Sequence, residues 1–188
     1  MGELSGIIAI EQLSKRLGLI TEEKKVNAAV ALILTLEDSD FSILFVKRVE
    51  NLADPWSGQI GLPGGKREPA DKNLEENVIR ETLEETGISL LHSHFLGVLP
   101  ALRSAPRPEL MILPFVAFLE RKPFIKLNKE ELESFVWIPL QKVLKGENVV
   151  RIGSRVVPAY VVGETVIWGL TYRIVENFVH IVKSTKAS

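Results

Sequence analysis

The stretch GGKREPAD at residues 64–71, followed by RETLEETG at residues 80–87, decides the fold and the site expected of this chain. The double glycine lets backbone amides and carbonyls approach a ligand without interference from side chains. The residues after it predict a helix over 74–86. Its predicted caps are Asn73 with Glu76 as reciprocal partner at the start, and Gly87 at the end.

The predicted helix carries three carboxylates on one face: Glu81, Glu84 and Glu85. At about 100° per residue they lie roughly 40° to 140° from Arg80, whereas Ile79 and Leu83 point the other way. We therefore predict a helix that is apolar on one side and acidic on the opposite side. Glu81 and Glu85 are four residues apart and repel each other. A divalent cation would relieve this repulsion, and hard oxygen donors suit magnesium or manganese, which also bridge substrate phosphates.

A charged pair on a helix is more often a solvated surface, and that alternative applies here too. The nearby Gly64-Gly65 pair favours the metal site, because a glycine carbonyl can join carboxylates around an ion. The expected cofactor is Mg²⁺ or Mn²⁺.

The composition is that of an ordinary globular protein, with 188 residues, 46% hydrophobic and 25% charged. This length predicts one domain over residues 1–188. Lys and Arg total 23 against 24 for Asp and Glu, so no global field recruits nucleic acid or an anionic membrane. The absence of cysteine removes disulfides, zinc–thiolate sites and thiol nucleophiles. We find no targeting or membrane-spanning pattern, and expect a cytoplasmic protein.

The rest of the chain alternates between strand and helix patterns. Strands are predicted at 28–35, 42–47, 94–102, 111–119, 135–138 and 155–162, and helices at 7–17, 140–145 and 167–183. The first helix belongs to a predicted N-terminal helical extension, 1–25, and the last to a C-terminal helix, 164–184. Residues 28–48 are expected to form a hairpin. Together the patterns predict an α/β sandwich whose sheet faces are covered by helices.

The segment from Gly65 to Ile88 resembles the Nudix box, G-x5-E-x7-R-E-U-x-E-E-x-G-U, where U is a bulky apolar residue. The first glycine lies one residue upstream of the pattern, and Thr82 occupies an apolar position. The first glutamate of the box has no direct counterpart, and Asp71 and Glu68 are the nearest candidates. The resemblance implies a Nudix-type α/β/α sandwich with a mixed sheet. It also implies hydrolysis of a nucleoside diphosphate linked to another moiety.

The same resemblance implies roles for individual residues. The implied catalytic residues are Arg80, Glu81, Glu84, Glu85 and Glu131, and the implied metal ligands are the Gly65 carbonyl with Glu81, Glu84 and Glu85. Arg80 would fix the glutamates through an ion pair. The general base would be a box glutamate or the distal Glu131, for which a plain charged loop is the alternative.

Further segments resemble the coenzyme A pyrophosphatase branch of that superfamily. They are LFVKR at 44–48, GQIGLPGGK at 58–66, PAY at 158–160 and IWGLT at 167–171. The implied reaction converts coenzyme A, or a derivative, to 3′,5′-ADP and 4′-phosphopantetheine. ADP-ribose, dinucleotides and other nucleotide sugars are alternative substrates. The branch places an Arg and a His ahead of Gly58-Gln59, where this chain has Asp54-Pro55-Trp56-Ser57. We therefore expect weak discrimination between coenzyme A and dephospho-coenzyme A.

Six residues are predicted to bind substrate: Lys47, Arg48, Gly64, Lys66, Arg67 and Trp56. The cations suit phosphate groups, with a solvated surface charge as the alternative for each. Trp56 lies in a polar loop and either stacks on an adenine or packs against the protein. Trp168 is predicted to pack in the core from the terminal helix.

The expected partner is a small-molecule nucleotide. A non-catalytic nucleotide sensor would normally lose a box glutamate, and an RNA-binding protein would need a basic stripe with exposed aromatic residues. Neither feature is present in the sequence. Many Nudix proteins are dimers, so a homodimer is a further expectation from the resemblance.

Overall fold

The computed structural model describes residues 10–19, 25–37, 40–91 and 94–186. In chain order the elements are α1 (10–14), β1 (Ala28–Glu37), β2 (Asp40–Arg48), β3 (Ile60–Gly61), β4 (Gly64–Lys66), α2 (Leu74–Thr86), β5 (His94–Val98), β6 (Leu102–Arg103), β7 (Met111–Leu119), β8 (Leu132–Pro139), α3 (Leu140–Lys145), β9 (Glu147–Ile152), β10 (Arg155–Val162), β11 (Thr165–Trp168) and α4 (Gly169–Lys186). Residues 1–9 and 20–24 of the predicted N-terminal extension lie outside the described residues.

A mixed sheet of eight strands forms the centre of the molecule. Its main order is β3-β2-β1-β7-β5, with β4 paired to β1, β6 to β7 and β8 to β2. β1 and β7 run parallel, with Ala28 opposite Ile112. β1 and β2 form the predicted hairpin, and both strands are longer than predicted. A second, antiparallel sheet contains β9, β10 and β11.

Helices cover both faces of the large sheet, because side chains alternate along each strand. Leu32 and Leu34 of β1 belong to the core cluster that includes buried residues of α1, α3 and α4. Ala29, Ala31 and Ile33 point to the opposite face and pack with Leu74 and Val78 of α2. The two clusters confirm the expected α/β/α sandwich.

The C-terminal segment differs from its prediction. A helix over 164–184 is wrong at its start, because residues 165–168 form β11 and α4 begins only at Gly169. β9 is absent from the predicted strands. Gly153 and Gly163, with φ of 59° each, close the two turns of this sheet, and β-branched residues fill its strands. Because Trp168 pairs with Ala159, the chain stays extended up to residue 168 even though the helical spacing of apolar residues begins before α4.

Helix α2 has the predicted bounds and a modified cap. The Asn73 side chain accepts a hydrogen bond of 2.7 Å from the Glu76 amide. Glu76 accepts from the Lys72 amide, at 2.9 Å, instead of the predicted reciprocal bond to Asn73. Gly87 ends the helix in the left-handed region, with φ of 72°.

Candidate active site

The site lies where β1 changes its partner on one side. The end of β1 pairs with β2, and its start, at Ala28–Val30, pairs with β4. Between these two ladders the Ala31 amide donates a 2.8 Å hydrogen bond to the Pro63 carbonyl. The glycine-rich loop is thereby inserted into the sheet edge, directly beside α2.

The two glycines of this loop allow contacts that other residues would block. Gly64 has φ of 136°, and a Cβ there would lie 2.3 Å from the Ala29 carbonyl oxygen. A Cβ on Gly65 would lie 2.5 Å from a carboxylate oxygen of Glu81. The loop therefore packs its backbone against β1 on one side and against the acidic helix on the other.

The acidic residues of α2 are not confined to a solvent-facing side. Leu83, predicted to be buried, is 47% exposed, whereas Thr82 and Glu85 are buried. Val78, Thr82 and Glu85 lie on one face of the helix, and this face meets the sheet. The prediction of separate apolar and acidic sides is therefore wrong, since the carboxylate of Glu85 enters the structure beside the apolar residues.

Glu85 is the most buried carboxylate of the site, with 3% of the residue exposed. Burial raises its pKa to about 8, against the opposing effects of the Gly64 amide and the Arg48 charge. The Gly64 amide donates to Oε2 at 2.9 Å, and Arg48 Nη1 lies 3.9 Å from Oε1. Burial also raises the pKa of Glu81.

Arg80 holds the acidic cluster together. It forms a bidentate pair with Asp71, at 2.9 and 3.0 Å. It also contacts carboxylate oxygens of Glu81 and Glu84, at 2.9 Å each. The hydrogen bonds to Asp71 raise the pKa of the guanidinium further. Of the two candidates for the first acidic position of the box, Asp71 therefore contacts Arg80, while Glu68 is exposed and donates its amide to Asp71.

A cleft of about 270 Å³ opens in front of the carboxylates. Its acidic lining residues are Glu81, Glu85 and Glu131, its cations are Arg48, Lys66 and Arg107, and its apolar wall includes Ala28, Val30, Leu110, Ile112, Leu170 and Ile174. The distal Glu131 is exposed, and its Oε1 accepts a 2.7 Å hydrogen bond from Asn128. Its charge acts to raise the pKa of both Glu81 and Glu85. The structure thus brings Glu131 into the same cleft as the helix carboxylates.

The predicted phosphate-binding cations take different places. Lys47 lines a separate hollow and pairs with Glu133 at 2.8 Å, so it does not line the cleft. Arg48 lines the cleft and pairs with Asp54 at 2.8 Å. Arg67 also lies outside the cleft lining and donates to the backbone carbonyl of Asp71. Lys66 lines the cleft.

The two tryptophans considered in the sequence analysis lie in different places. Trp56 lines the cleft and packs against the cluster of Ala28, Leu110 and Ile112. The prediction that Trp168 packs from a helix is wrong, because Trp168 ends strand β11 and lines the hollow that contains Lys47.

Three residues of the site have no individual role in the sequence predictions, although Thr171 is the last residue of the IWGLT segment. Arg107 places its guanidinium 5.3 Å from the centre of the Trp56 ring. Thr171, in the first turn of α4, donates a 3.0 Å hydrogen bond to the Ile60 carbonyl. Asn77 donates to the Lys66 carbonyl at 3.2 Å and ties α2 to β4. The sequence does not reveal these roles, because each residue acts through a partner from another segment of the chain.

The oxygen atoms of Glu81, Glu84, Glu85 and the Gly65 carbonyl are of the kind that binds a hard divalent cation, although the carboxylates do not point at one common position. Within the described ranges no three Asp, Glu or His side chains form a ready cluster. The reason is visible in the contacts, since Arg80 binds Glu81 and Glu84, and the Gly64 amide binds Glu85. Glu81 nevertheless lies against Gly65, and Glu85 is buried with Arg48 Nη1 3.9 Å from its Oε1. Oxygen donors of this kind match magnesium and manganese.

Residues 25–159 match the family model described as NUDIX domain. This match covers more than half of the chain, and the chain therefore belongs to that family. An uncharacterised protein of Schizosaccharomyces pombe is 34% identical over 148 residues, which are 67% of this chain and 45% of that protein.

Two named relatives are coenzyme A diphosphatases. The human mitochondrial coenzyme A diphosphatase NUDT8 is 28% identical over 143 residues, which are 72% of this chain and 60% of that protein. The peroxisomal coenzyme A diphosphatase ndx-8 of Caenorhabditis elegans is 39% identical over 90 residues, 47% of this chain and 38% of that protein. The chain thus spans less than two thirds of each of these relatives.

The fold agrees with solved structures. The MutT protein from Methanosarcina mazei Go1 matches with a TM-score of 0.56 at 24% identity, over 88% of this chain and 99% of that one. This likeness concerns the fold alone. In the part of the chain that the structure describes, no helix is both long enough and apolar enough to cross a membrane.

Proposed function

We propose that this protein hydrolyses the pyrophosphate bond of coenzyme A, or of a coenzyme A derivative, with the help of Mg²⁺ or Mn²⁺. The observation that carries the proposal is the buried Glu85, which accepts a hydrogen bond from the Gly64 amide. Glu85 lines one cleft together with Glu81 and with positively charged side chains. The two relatives named as coenzyme A diphosphatases support the choice of substrate. The products would be 3′,5′-ADP and 4′-phosphopantetheine.

The residues that would hold the ion are Glu81, Glu85 and the Gly65 carbonyl, with Glu84 at the edge of the set. When bound, the ion neutralises pyrophosphate charge and makes a water molecule more acidic. Arg80 keeps Glu81 and Glu84 in place through its ion pairs. Lys66 and Arg48 line the same cleft and supply positive charge for the phosphates.

Glu131 is the candidate general base. It faces the cleft from the segment before β8, and the hydrogen bond from Asn128 orients its carboxylate. In the proposed reaction the water oxygen bonds to one phosphorus atom and the bridging P–O bond breaks. Glu131 takes a proton from the water, and two phosphate monoesters leave.

The test of this function is an assay of the purified protein with coenzyme A, in which the products are identified by mass. We expect turnover that requires Mg²⁺ or Mn²⁺ and stops in excess chelator. Release of inorganic phosphate or dephospho-coenzyme A would identify a phosphatase instead, and full turnover with chelator would contradict the metal. The assay includes ADP-ribose and diadenosine polyphosphates as alternative substrates. Binding without turnover of any substrate would indicate a nucleotide sensor.

A pair of glycine variants tests the position of the metal ligands. Gly65→Ala would place a Cβ against the Glu81 carboxylate, whereas a Cβ on the neighbouring Gly61 meets nothing within 4 Å. A displacement of about 1 Å at a catalytic group costs on the order of a hundredfold in rate. We therefore expect Gly65→Ala to lose activity on that scale and Gly61→Ala to retain most of it. Equal activity of the two variants would argue against a role for Gly65.

The compartment and the oligomeric state stay predictions. The sequence predicts a cytoplasmic protein, while the relatives are named as mitochondrial and peroxisomal. Fractionation of the source cells tests the first prediction, and sedimentation of the purified chain tests the expected homodimer. Nucleic acid is not an expected partner, in view of the balanced charge.

A further inference from the structure

The cleft contains a cation that the proposed reaction does not use. Arg107 lies in the loop between β6 and β7, in a turn closed by a 3.0 Å hydrogen bond from the Ser104 amide to the Leu110 carbonyl. A further bond links the Leu110 amide to the Arg107 carbonyl, at 2.9 Å. The loop backbone is therefore held in place at the two ends of the turn, while the exposed Arg107 side chain reaches the cleft lining.

Two of the cations predicted from the sequence, Lys47 and Arg48, are less suited to recognise a phosphate at this wall. Lys47 is outside the cleft lining and is paired with Glu133. Arg48 is paired with Asp54 and lies near Glu85, so much of its charge is already balanced. Among the described residues, no carboxylate oxygen lies within 4 Å of the Arg107 guanidinium. Its charge acts on Asp54 at longer range and remains available for direct contact with an anionic ligand.

Trp56 fixes the place of that charge. Its ring packs against the cluster of Ala28, Leu110 and Ile112, and the guanidinium of Arg107 lies 5.3 Å from its centre. Stacking on an aromatic ring restrains a long side chain and leaves the edge of the guanidinium open for hydrogen bonds. An edge of this kind can form a bidentate contact with a phosphate.

We propose that Arg107, held over Trp56, is a specificity-determining residue that contacts the phosphate of the substrate that is not cleaved, which in coenzyme A is the 3′-phosphate. This proposal rests on the proposed function for the identity of the substrate. It replaces the sequence-based expectation of weak discrimination between coenzyme A and dephospho-coenzyme A. It also predicts a preference for coenzyme A over dephospho-coenzyme A that depends on one side chain.

The test compares Arg107→Ala and Arg107→Lys with the unmodified protein. We expect Arg107→Ala to lower kcat/KM for coenzyme A about tenfold, which corresponds to 1.4 kcal/mol, and to change the value for dephospho-coenzyme A less than threefold. Arg107→Lys keeps the charge without the planar fork. Its kcat/KM for coenzyme A should lie between those of Arg107→Ala and the unmodified protein. The control is Arg151→Ala, which removes a positive charge from exposed strand β9, outside the cleft. Equal losses for both substrates would overturn the proposal.

A second measurement needs no turnover. Titration calorimetry gives the affinities of 3′,5′-ADP and 5′-AMP, which differ only in the 3′-phosphate. We expect Arg107→Ala to lower the affinity for 3′,5′-ADP about tenfold and the affinity for 5′-AMP less than twofold. If coenzyme A is not cleaved but this difference is found, the proposed function fails and the role of Arg107 stands. If coenzyme A is cleaved and the difference is absent, the role of Arg107 fails alone.

Discussion

At the scale of single residues, the site depends on how Arg80 and the buried carboxylates share their charges. Asp71 is 7% exposed, and both Nε and Nη2 of Arg80 donate hydrogen bonds to its carboxylate. These hydrogen bonds hold the pKa of Asp71 below its usual value. Glu68, the other candidate from the sequence, is exposed to solvent. The structure therefore separates two acidic residues that are equivalent in the sequence pattern.

We predict that Asp71→Asn destabilises the protein by about 2 to 4 kcal/mol, because it leaves Arg80 without its main partner. Urea unfolding at pH 7 measures this loss, with Glu68→Gln as the control that should change stability by less than about 0.5 kcal/mol. The contribution of Asp71 is present above its unfolded pKa, near 3.8, and is lost as the pH falls through its lowered folded pKa. A loss in Glu68→Gln as large as that in Asp71→Asn would contradict this assignment.

Glu85 gives the opposite dependence on pH. Burial raises its folded pKa to about 8, from an ordinary value of 4.5, so the metal-free protein loses stability as the pH rises between these values. We predict that Glu85→Gln removes this loss and stabilises the metal-free protein at pH 8 by roughly 1 to 3 kcal/mol, with little change at pH 4.5. Activity should be abolished in the same variant.

Unfolding in the presence of chelator, at both pH values, measures the effect of Glu85→Gln. The matched control is Glu84→Gln. It removes a carboxylate from the same helix, but the Glu84 side chain is 55% exposed. A variant that is less stable than the unmodified protein at pH 8 would show that burial does not penalise the Glu85 charge.

At the scale of elements, α4 helps to shape the cleft wall. Leu170, Thr171 and Ile174 of its first turns line the cleft, and Thr171 donates to the Ile60 carbonyl of β3. β3 in turn leads into the Gly64-Gly65 loop. This side-chain hydrogen bond connects the C-terminal helix to the strand before the glycine loop, across 111 positions of the chain.

We predict that Thr171→Val costs about 1 kcal/mol of stability, the usual net value of such a hydrogen bond. It should also raise KM, because β3 and the glycine loop lose a restraint. Thr171→Ser keeps the hydroxyl and should restore both values. Unfolding curves and steady-state kinetics measure the two effects, and an unchanged KM in Thr171→Val would show that α4 does not position the loop.

At the scale of the whole molecule, the segment after residue 159 lies beyond the family match but contributes to the core. Six buried residues of β11 and α4 belong to the cluster under the large sheet: Ile167, Tyr172, Ile174, Val175, Phe178 and Val179. Each buried side chain of this size contributes about 1.5 to 3 kcal/mol. Their sum is comparable with the whole stability of a domain, about 5 to 15 kcal/mol.

We therefore predict that a chain ending at residue 163 does not fold cooperatively, as expected if residues 1–188 form one domain. Circular dichroism during thermal unfolding measures this, with the full chain as the reference. A chain ending at residue 183 keeps all six buried residues and should unfold cooperatively. A cooperative transition of the shorter chain near the Tm of the full chain would mean that residues 25–159 fold independently.

The sequence by itself determined the sandwich, the family resemblance, the bounds of α2 and the identity of Glu81, Glu85 and Gly65 as neighbours in the site. These features follow from local signals: periodic apolar residues, helix caps and a short motif with fixed spacing. Tertiary structure alone decided that Glu85 is buried, that Asp71 and not Glu68 binds Arg80, and that Lys47 and Arg48 lie in different hollows. It also placed Arg107 over Trp56 and Thr171 against the Ile60 carbonyl. Burial and pairing of this kind depend on segments distant in sequence, and local periodicity does not record which segments meet.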